Sequence, residues 1–153
     1  MQIKNNATVA YLKTLVDKPF AKSISPSTLL LGGTLRYIEE GEAWIDYPIK
    51  HEMSNPIGMI QGGFLAALID DTIGLAFFSL EPKLMFTTTN LNVNYLFGAH
   101  EGEIVRAKAK VIRMGKKIAN FECKIYNAQE EIIANSTTNL VVTTVKAIPF
   151  KIV

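Results

Sequence analysis

Residues 55–81 read "NPIGMIQGGFLAALIDDTIGLAFFSLE", an apolar run that opens on Gly62-Gly63 and carries two adjacent carboxylates, Asp70 and Asp71, in its middle. Each feature suggests a chemistry. At a helix start the first amide N–H groups lack intrahelical acceptors, and the helix dipole favours negative charge there. With no side chain at Gly62 or Gly63, those amides could meet a ligand oxygen directly, as an oxyanion site for a carbonyl under attack does. A glycine pair also serves as a plain tight turn into a packed helix, so both readings stay open. A carboxylate is costly to desolvate, so in a helix this apolar at least one of the pair is expected to be held for a purpose. The small residues Ala66, Ala67 and Gly74 around Asp70 leave room for a ligand or a second chain. A structural cap or an inter-subunit hydrogen bond is the competing reading of the same carboxylates.

Eight residues separate Gly62 from Asp70, roughly 12 Å along a helix axis. Reacting groups must approach to about 3–3.5 Å, so Asp70 cannot serve an oxyanion held at the start of its own helix. If both act on one substrate, they come from different subunits. Antiparallel helices in a twofold dimer would set each Gly62 beside the other chain's Asp70. A catalytic reading therefore implies a homodimer.

The elements around this helix are legible from periodicity. Asn6 can cap a short helix from about Ala7 to Val16, with Val9, Leu12, Leu15 and Val16 at helical spacing and Pro19 ending it. "SISPSTLLLGG" reads as a loop, followed by a hairpin of Leu35–Glu39 and Ala43–Pro48. The central helix is expected from Gly62 to Leu80, closed by Pro82. Beyond it the period becomes two. In "TTTNLNVNYLF" one face takes Leu91, Val93, Tyr95 and Phe97, the other Thr88, Asn90, Asn92 and Asn94. Val105–Val111, Ala119–Tyr126 and about Ile132–Val145 complete a set of strands whose short connections favour an antiparallel meander. The expected class is α+β: one long helix, apolar on every side, wrapped by a curved antiparallel sheet.

Composition sets the bounds. The 153 residues suit a single domain, with 48% hydrophobic and 20% charged residues and a formal charge of +2, too small to indicate a nucleic-acid partner. No segment approaches the ~18 unbroken apolar residues of a membrane span, and the first twenty residues lack the apolar core of a signal peptide. The lone Cys123 excludes an internal disulfide and fits a reducing, cytoplasmic setting. Cys123 shares its strand's apolar face with Phe121 and Ile125, so a buried structural thiol is expected rather than a nucleophile.

The stretch "NPIGMIQGGFLAALIDD" resembles the signature of PaaI-type acyl-CoA thioesterases of the hotdog superfamily. There an Asn and a Gly precede His-Gly-Gly, and an Asp follows seven residues after the second Gly; Asn55, Gly58, Gly62, Gly63 and Asp70 match in order and spacing. The strand pattern extends the resemblance over roughly residues 33–145, with residues 1–32 as an N-terminal helix and loop of the same single domain. It implies a hotdog fold, active sites at a dimer interface and often a dimer of dimers. It also implies that Asp70 activates water or attacks the thioester, and that the Gly62 amide holds the thioester oxygen. Asn55 would orient the substrate carbonyl or the water, and Thr88 would assist the water. Gln61 stands where the family has histidine and can donate and accept hydrogen bonds in its place, beside Gly63 and Phe64 at the substrate. Neither a metal nor a cofactor is implied, coenzyme A being part of the substrate.

Rival readings are weaker. Hydration of an acyl thioester would want a histidine–carboxylate pair, and neither His51 nor His100 sits in a recognisable pattern. Arg106, Lys108, Lys110, Arg113, Lys116 and Lys117 are available for coenzyme A phosphates, although alternating lysines on a strand also form a solvated face. Phe64, Leu65, Leu68 and Phe77 read equally well as acyl pocket or as core. The alternative of a different class is a non-catalytic hotdog module that binds acyl thioesters or serves assembly.

Overall fold

The computed structural model describes residues 6–22 and 25–148. Helix α1 (Ala7–Lys13) starts where Asn6 Oδ1 accepts the Val9 N–H at 2.9 Å, and it stops a turn earlier than the periodicity predicts. The expected loop contains a second short helix, α2 (Pro26–Leu31), with proline in its first turn and Gly32 closing it at φ 71°. Proline at the start and left-handed glycine just past the end are a helix signature that a reading of "SISPSTLLLGG" as turn formers overlooks.

Strands β1 (Thr34–Glu39) and β2 (Glu42–Pro48) form the first hairpin, and helix α3 spans Gly62–Phe78. Strands β3 (Leu84–Tyr95), β4 (Ile104–Met114), β5 (Ile118–Tyr126) and β6 (Ile132–Lys146) follow. All pair antiparallel in one six-stranded sheet of order β1-β2-β4-β5-β6-β3. The meander expectation holds for β4-β5-β6 and fails for β3. That strand pairs with β6 at the sheet's edge, while β4 pairs with β2. The predicted alternation on β4 and β5 is sound: Val105, Ala107, Ala109, Ala119, Phe121, Cys123 and Ile125 are fully buried. They meet Leu68, Ile69, Ile73 and Ala76 of α3, which completes one core.

The faces of β3 require a correction. Thr88 pairs with buried Leu140, whereas Asn90 pairs with Asn139, so two steps on β3 match one on β6. This bulge shifts the strand's phase, and cross-strand partners share a face. Thr88 therefore lies on the helix side with Leu91 and Val93, and not on the outer face with Asn90, Asn92 and Asn94. The bulge is pinned from outside: Asn139 Nδ2 donates to Asn90 Oδ1 at 2.8 Å, and Asn120 Nδ2 donates to Asn139 Oδ1. Thr138 Oγ1 also donates to the Asn90 carbonyl at 2.6 Å.

The far end of α3 is tied down by Ser79, which is wholly buried. Its hydroxyl donates to the Ala76 carbonyl at 2.7 Å and accepts the Gly41 N–H of the β1–β2 turn at 2.8 Å. Its carbonyl accepts from Asn6 Nδ2 at 2.7 Å. Ser79→Ala leaves the buried Gly41 N–H without an acceptor, at a cost of about 1–3 kcal/mol. Urea denaturation should show that loss at an unchanged m-value.

Candidate active site

Asp70 is exposed on α3, and one carboxylate oxygen is held: Thr88 Oγ1 donates to Asp70 Oδ1 at 3.0 Å. Two residues chosen from sequence thus meet, and they meet because of the β3 bulge. No side chain among the described residues donates to the second carboxylate oxygen. Around Asp70, α3 presents Gly63, Ala66, Ala67 and Gly74 as a strip of small residues that is not fully covered by the chain's own fold.

The start of α3 is bare in the sense the sequence suggests. Gln61 is the N-cap residue, and its side chain makes no capping hydrogen bond; its carbonyl accepts from Phe64 N–H at 2.9 Å and Leu65 N–H at 3.3 Å. A Cβ at Gly63 would meet nothing within 4 Å, so the space beside its Cα is open. A Cβ at Gly62 would lie 3.2 Å from the Tyr95 ring, whose hydroxyl donates to the Gly62 carbonyl at 3.1 Å. Tyr95 is the neighbour that sequence reasoning missed. The signal was a tyrosine on an otherwise apolar strand face, where the ring packs and the hydroxyl can bond a nearby backbone carbonyl.

Asn55 is committed on one side. Its Oδ1 accepts from the Ile57 and Met59 N–H groups at 3.0 and 3.1 Å, which folds residues 55–59 into a tight loop. Only this orientation of the amide satisfies two N–H donors, and it leaves the NH2 group as the part able to donate elsewhere. The loop leads into α3 through the Gln61 N–H, which donates to the Met53 carbonyl at 2.9 Å.

Asp71, about 100° around the helix from Asp70, has a different setting. Thr28 Oγ1 of α2 donates to its Oδ1 at 2.5 Å, and the wholly buried Tyr47 hydroxyl donates to its Oδ2 at 2.8 Å. Burial pushes its carboxyl above the ordinary range; these two hydrogen bonds pull the other way, and the Asp70 charge adds to the rise. Asp70 and Asp71 both border a cavity of about 370 Å³ between α2 and α3, walled by Leu30, Phe64 and Phe78 with Thr28 above Asp71. Phe64 is therefore a pocket residue, whereas Leu65, Leu68 and Phe77 are core.

Several other candidates are accounted for. Cys123 is buried, and burial pushes its thiol well up, out of reach of nucleophilic duty. His51 is exposed and pairs with Glu101 at 3.0 Å. Arg106 is engaged by Asp46 at 2.7 Å, which Arg36 also contacts at 2.8 Å. Burial alone would raise the Asp46 carboxyl, but the Arg106 and Arg36 hydrogen bonds outweigh it and hold it below the usual range. Lys108 lies between Trp44 and Tyr126, 4.4 Å from each ring centroid. Among the described residues no helix is long and apolar enough to cross a membrane.

Comparison with known proteins bears on the family and the fold. The family model described as "Thioesterase superfamily" matches residues 57–134. A protein of Archaeoglobus fulgidus named as an esterase is 30% identical over 105 residues, 69% of this chain and 67% of that one. The 1,4-dihydroxy-2-naphthoyl-CoA hydrolase of Listeria monocytogenes is 26% identical over 106 residues, 69% of this chain and 85% of that one. Among solved structures, the Escherichia coli PaaI protein of the phenylacetic acid degradation operon superposes with a TM-score of 0.75 at 20% identity, covering 92% of this chain and 93% of that one. The hotdog fold expected from the sequence is thereby shown.

The raised Asp71 carboxyl has a sign that can be measured. The folded state holds this proton more tightly than the unfolded chain, so the group's contribution to stability is fullest below the unfolded value, 3.8. It is lost as pH rises through the higher folded value. In denaturation at a series of pH values, the stability of wild type relative to Asp71→Asn should decline as pH rises above 3.8 and then level off.

Proposed function

Because the chain belongs to the thioesterase superfamily, we propose that it hydrolyses an acyl-coenzyme A thioester at a site shared by two copies of the chain. The observation that carries this reading is the Asp70–Thr88 pair at 3.0 Å, together with uncapped amides eight residues away on the same helix. The Listeria relative is named for cleaving a coenzyme A thioester, which supports that substrate class.

Strand β3 supports the pairing of two copies. It is twelve residues long, lies at the sheet's edge, and its sequence LMFTTTNLNVNY contains no charge and no proline. Edge strands that remain unpaired are usually blunted by lysine, proline or brevity. The opposite edge, β1, is blunted so: six residues, with Arg36 and Glu39 among them. Antiparallel β3–β3 pairing across a twofold axis would extend the sheet and bring the small-residue strips of two α3 helices together. The Asp70 of one copy would then approach the amide of the partner's Gly62.

In this site Thr88 fixes one Asp70 oxygen and leaves the other to take a proton from water. The resulting hydroxide attacks the thioester carbon. The carbonyl oxygen, now negative, is received by the partner's Gly62 N–H, with the Asn55 NH2 group as a second donor. Collapse breaks the C–S bond, and the proton held on Asp70 goes to the departing thiolate, giving the acid and free coenzyme A. Direct attack by the free Asp70 oxygen, through a mixed anhydride, uses the same groups. A cytoplasmic location suits this substrate and the single reduced cysteine.

Thiol-release assays test the reading across short, long and aromatic acyl-CoAs. Asp70→Asn should retain the fold and lower kcat by about 10³-fold. Gly62→Pro removes one N–H at a first-turn helix position and should cost about 10²- to 10³-fold. Because its Cβ presses on the Tyr95 ring at 3.2 Å, Gly62→Ala, which adds the Cβ and keeps the N–H, is the control and should lose far less. Asn92→Lys places a charge on the β3 edge and should yield an inactive monomer in light scattering. Binding of acyl-CoA by wild type without any turnover across the panel would instead indicate a binding or assembly module.

A further inference from the structure

The cavity beside Asp70 holds a second carboxylate that hydrolysis does not need. Asp71 accepts one hydrogen bond on each oxygen, from Thr28 Oγ1 and from the Tyr47 hydroxyl. A carboxylate has about four acceptor directions, so unused capacity remains. Asp71 borders the cavity, and no lysine, arginine or histidine is among the described residues lining it. The remaining walls are largely apolar. An apolar pocket with a negative end and no compensating cation discriminates by charge and by hydrogen-bond polarity, because an unpaired acceptor or a like charge is costly there. Asp70 borders the same cavity. An acyl group whose carbonyl sits at Asp70 therefore has this half-open cavity beside it.

We infer that Asp71 is a specificity-determining residue: it favours acyl groups that carry a hydrogen-bond donor beyond the carbonyl and rejects those ending in a carboxylate. The inference rests on the thioesterase reading above and adds the polarity of the acyl tail to it. Residue type matters here, since a purely structural partner for Thr28 and Tyr47 could be an uncharged asparagine. Asp70 stands at the carbonyl end of the cavity in every substrate of a matched set, so a difference between acyl tails that Asp71 substitutions move reports Asp71.

The test uses the intact protein and three matched coenzyme A thioesters: hexanoyl, 6-hydroxyhexanoyl and 5-carboxypentanoyl, with the eight-carbon set in parallel. Ratios of kcat/KM between substrates do not depend on how much enzyme is folded, so a merely structural role would leave them unmoved. Wild type should prefer the hydroxylated substrate over the plain one by roughly tenfold to a hundredfold, as expected of a hydrogen bond to a charged group. It should disfavour the carboxylated one by at least about tenfold. Asp71→Asn should raise the carboxylated-to-plain ratio about tenfold, and Asp71→Leu should abolish the hydroxyl preference. Should either variant fail to fold, the wild-type ratios decide. Equal wild-type turnover of plain and carboxylated substrates, or ratios unmoved in folded variants, overturns the inference and leaves the thioesterase reading standing. Absence of turnover for all six substrates and across the wider acyl-CoA panel overturns that reading and this inference with it.

Discussion

A rigid helix holds Gly62 and Asp70 eight residues apart, roughly 12 Å along the axis, and no side-chain motion closes that gap. The rest of the arrangement answers this constraint. Asp70 acquires its local partner, Thr88, from a strand lying along the helix, and that same strand supplies Tyr95 against Gly62 at the other end. Each chain therefore carries two half-sites, one at the start of α3 and one at its middle, and each half-site is prepared separately. Two copies related by a twofold axis would complete both at once.

Helix α3 is apolar for two different reasons. Leu68, Ile69, Ile73 and Ala76 are buried against the sheet, which anchors the helix. Gly63, Ala66, Ala67 and Gly74 are small, and this keeps the opposite face low enough for something to approach the carboxylates. The energetic consequence falls on Asp71, whose partly desolvated carboxyl is held by two hydroxyls and bears a raised pKa.

Much of this was legible in the residues. Alternation on β4 and β5 named the buried side chains correctly, because both strands lie inside the sheet with one face under the helix. The Gly62 and Asp70 spacing fixed the separation of those two residues, since both lie on α3 and helix geometry converts spacing directly into distance. Two features were hidden by non-local causes. Pairing of β3 with β6 rather than β4 is a choice between sheet edges that no local pattern records. Thr88 was placed on the wrong face because the bulge that turns it depends on Asn139 and Thr138, some fifty residues downstream. Helix α2 was missed for a local reason: Pro26 and Gly32 were read as turn formers and not as the two ends of a helix.

The shared cleft can be tested most directly by subunit complementation. Asp70→Asn and Gly62→Pro chains, each inactive alone, are differently tagged, co-expressed and isolated as the mixed dimer. If the two halves come from different chains, each mixed dimer contains one intact site, and its turnover should approach half that of wild type. If Asp70 and Gly62 act within one chain, every site in the mixed dimer is damaged, and turnover no higher than that of the parent variants would contradict the account.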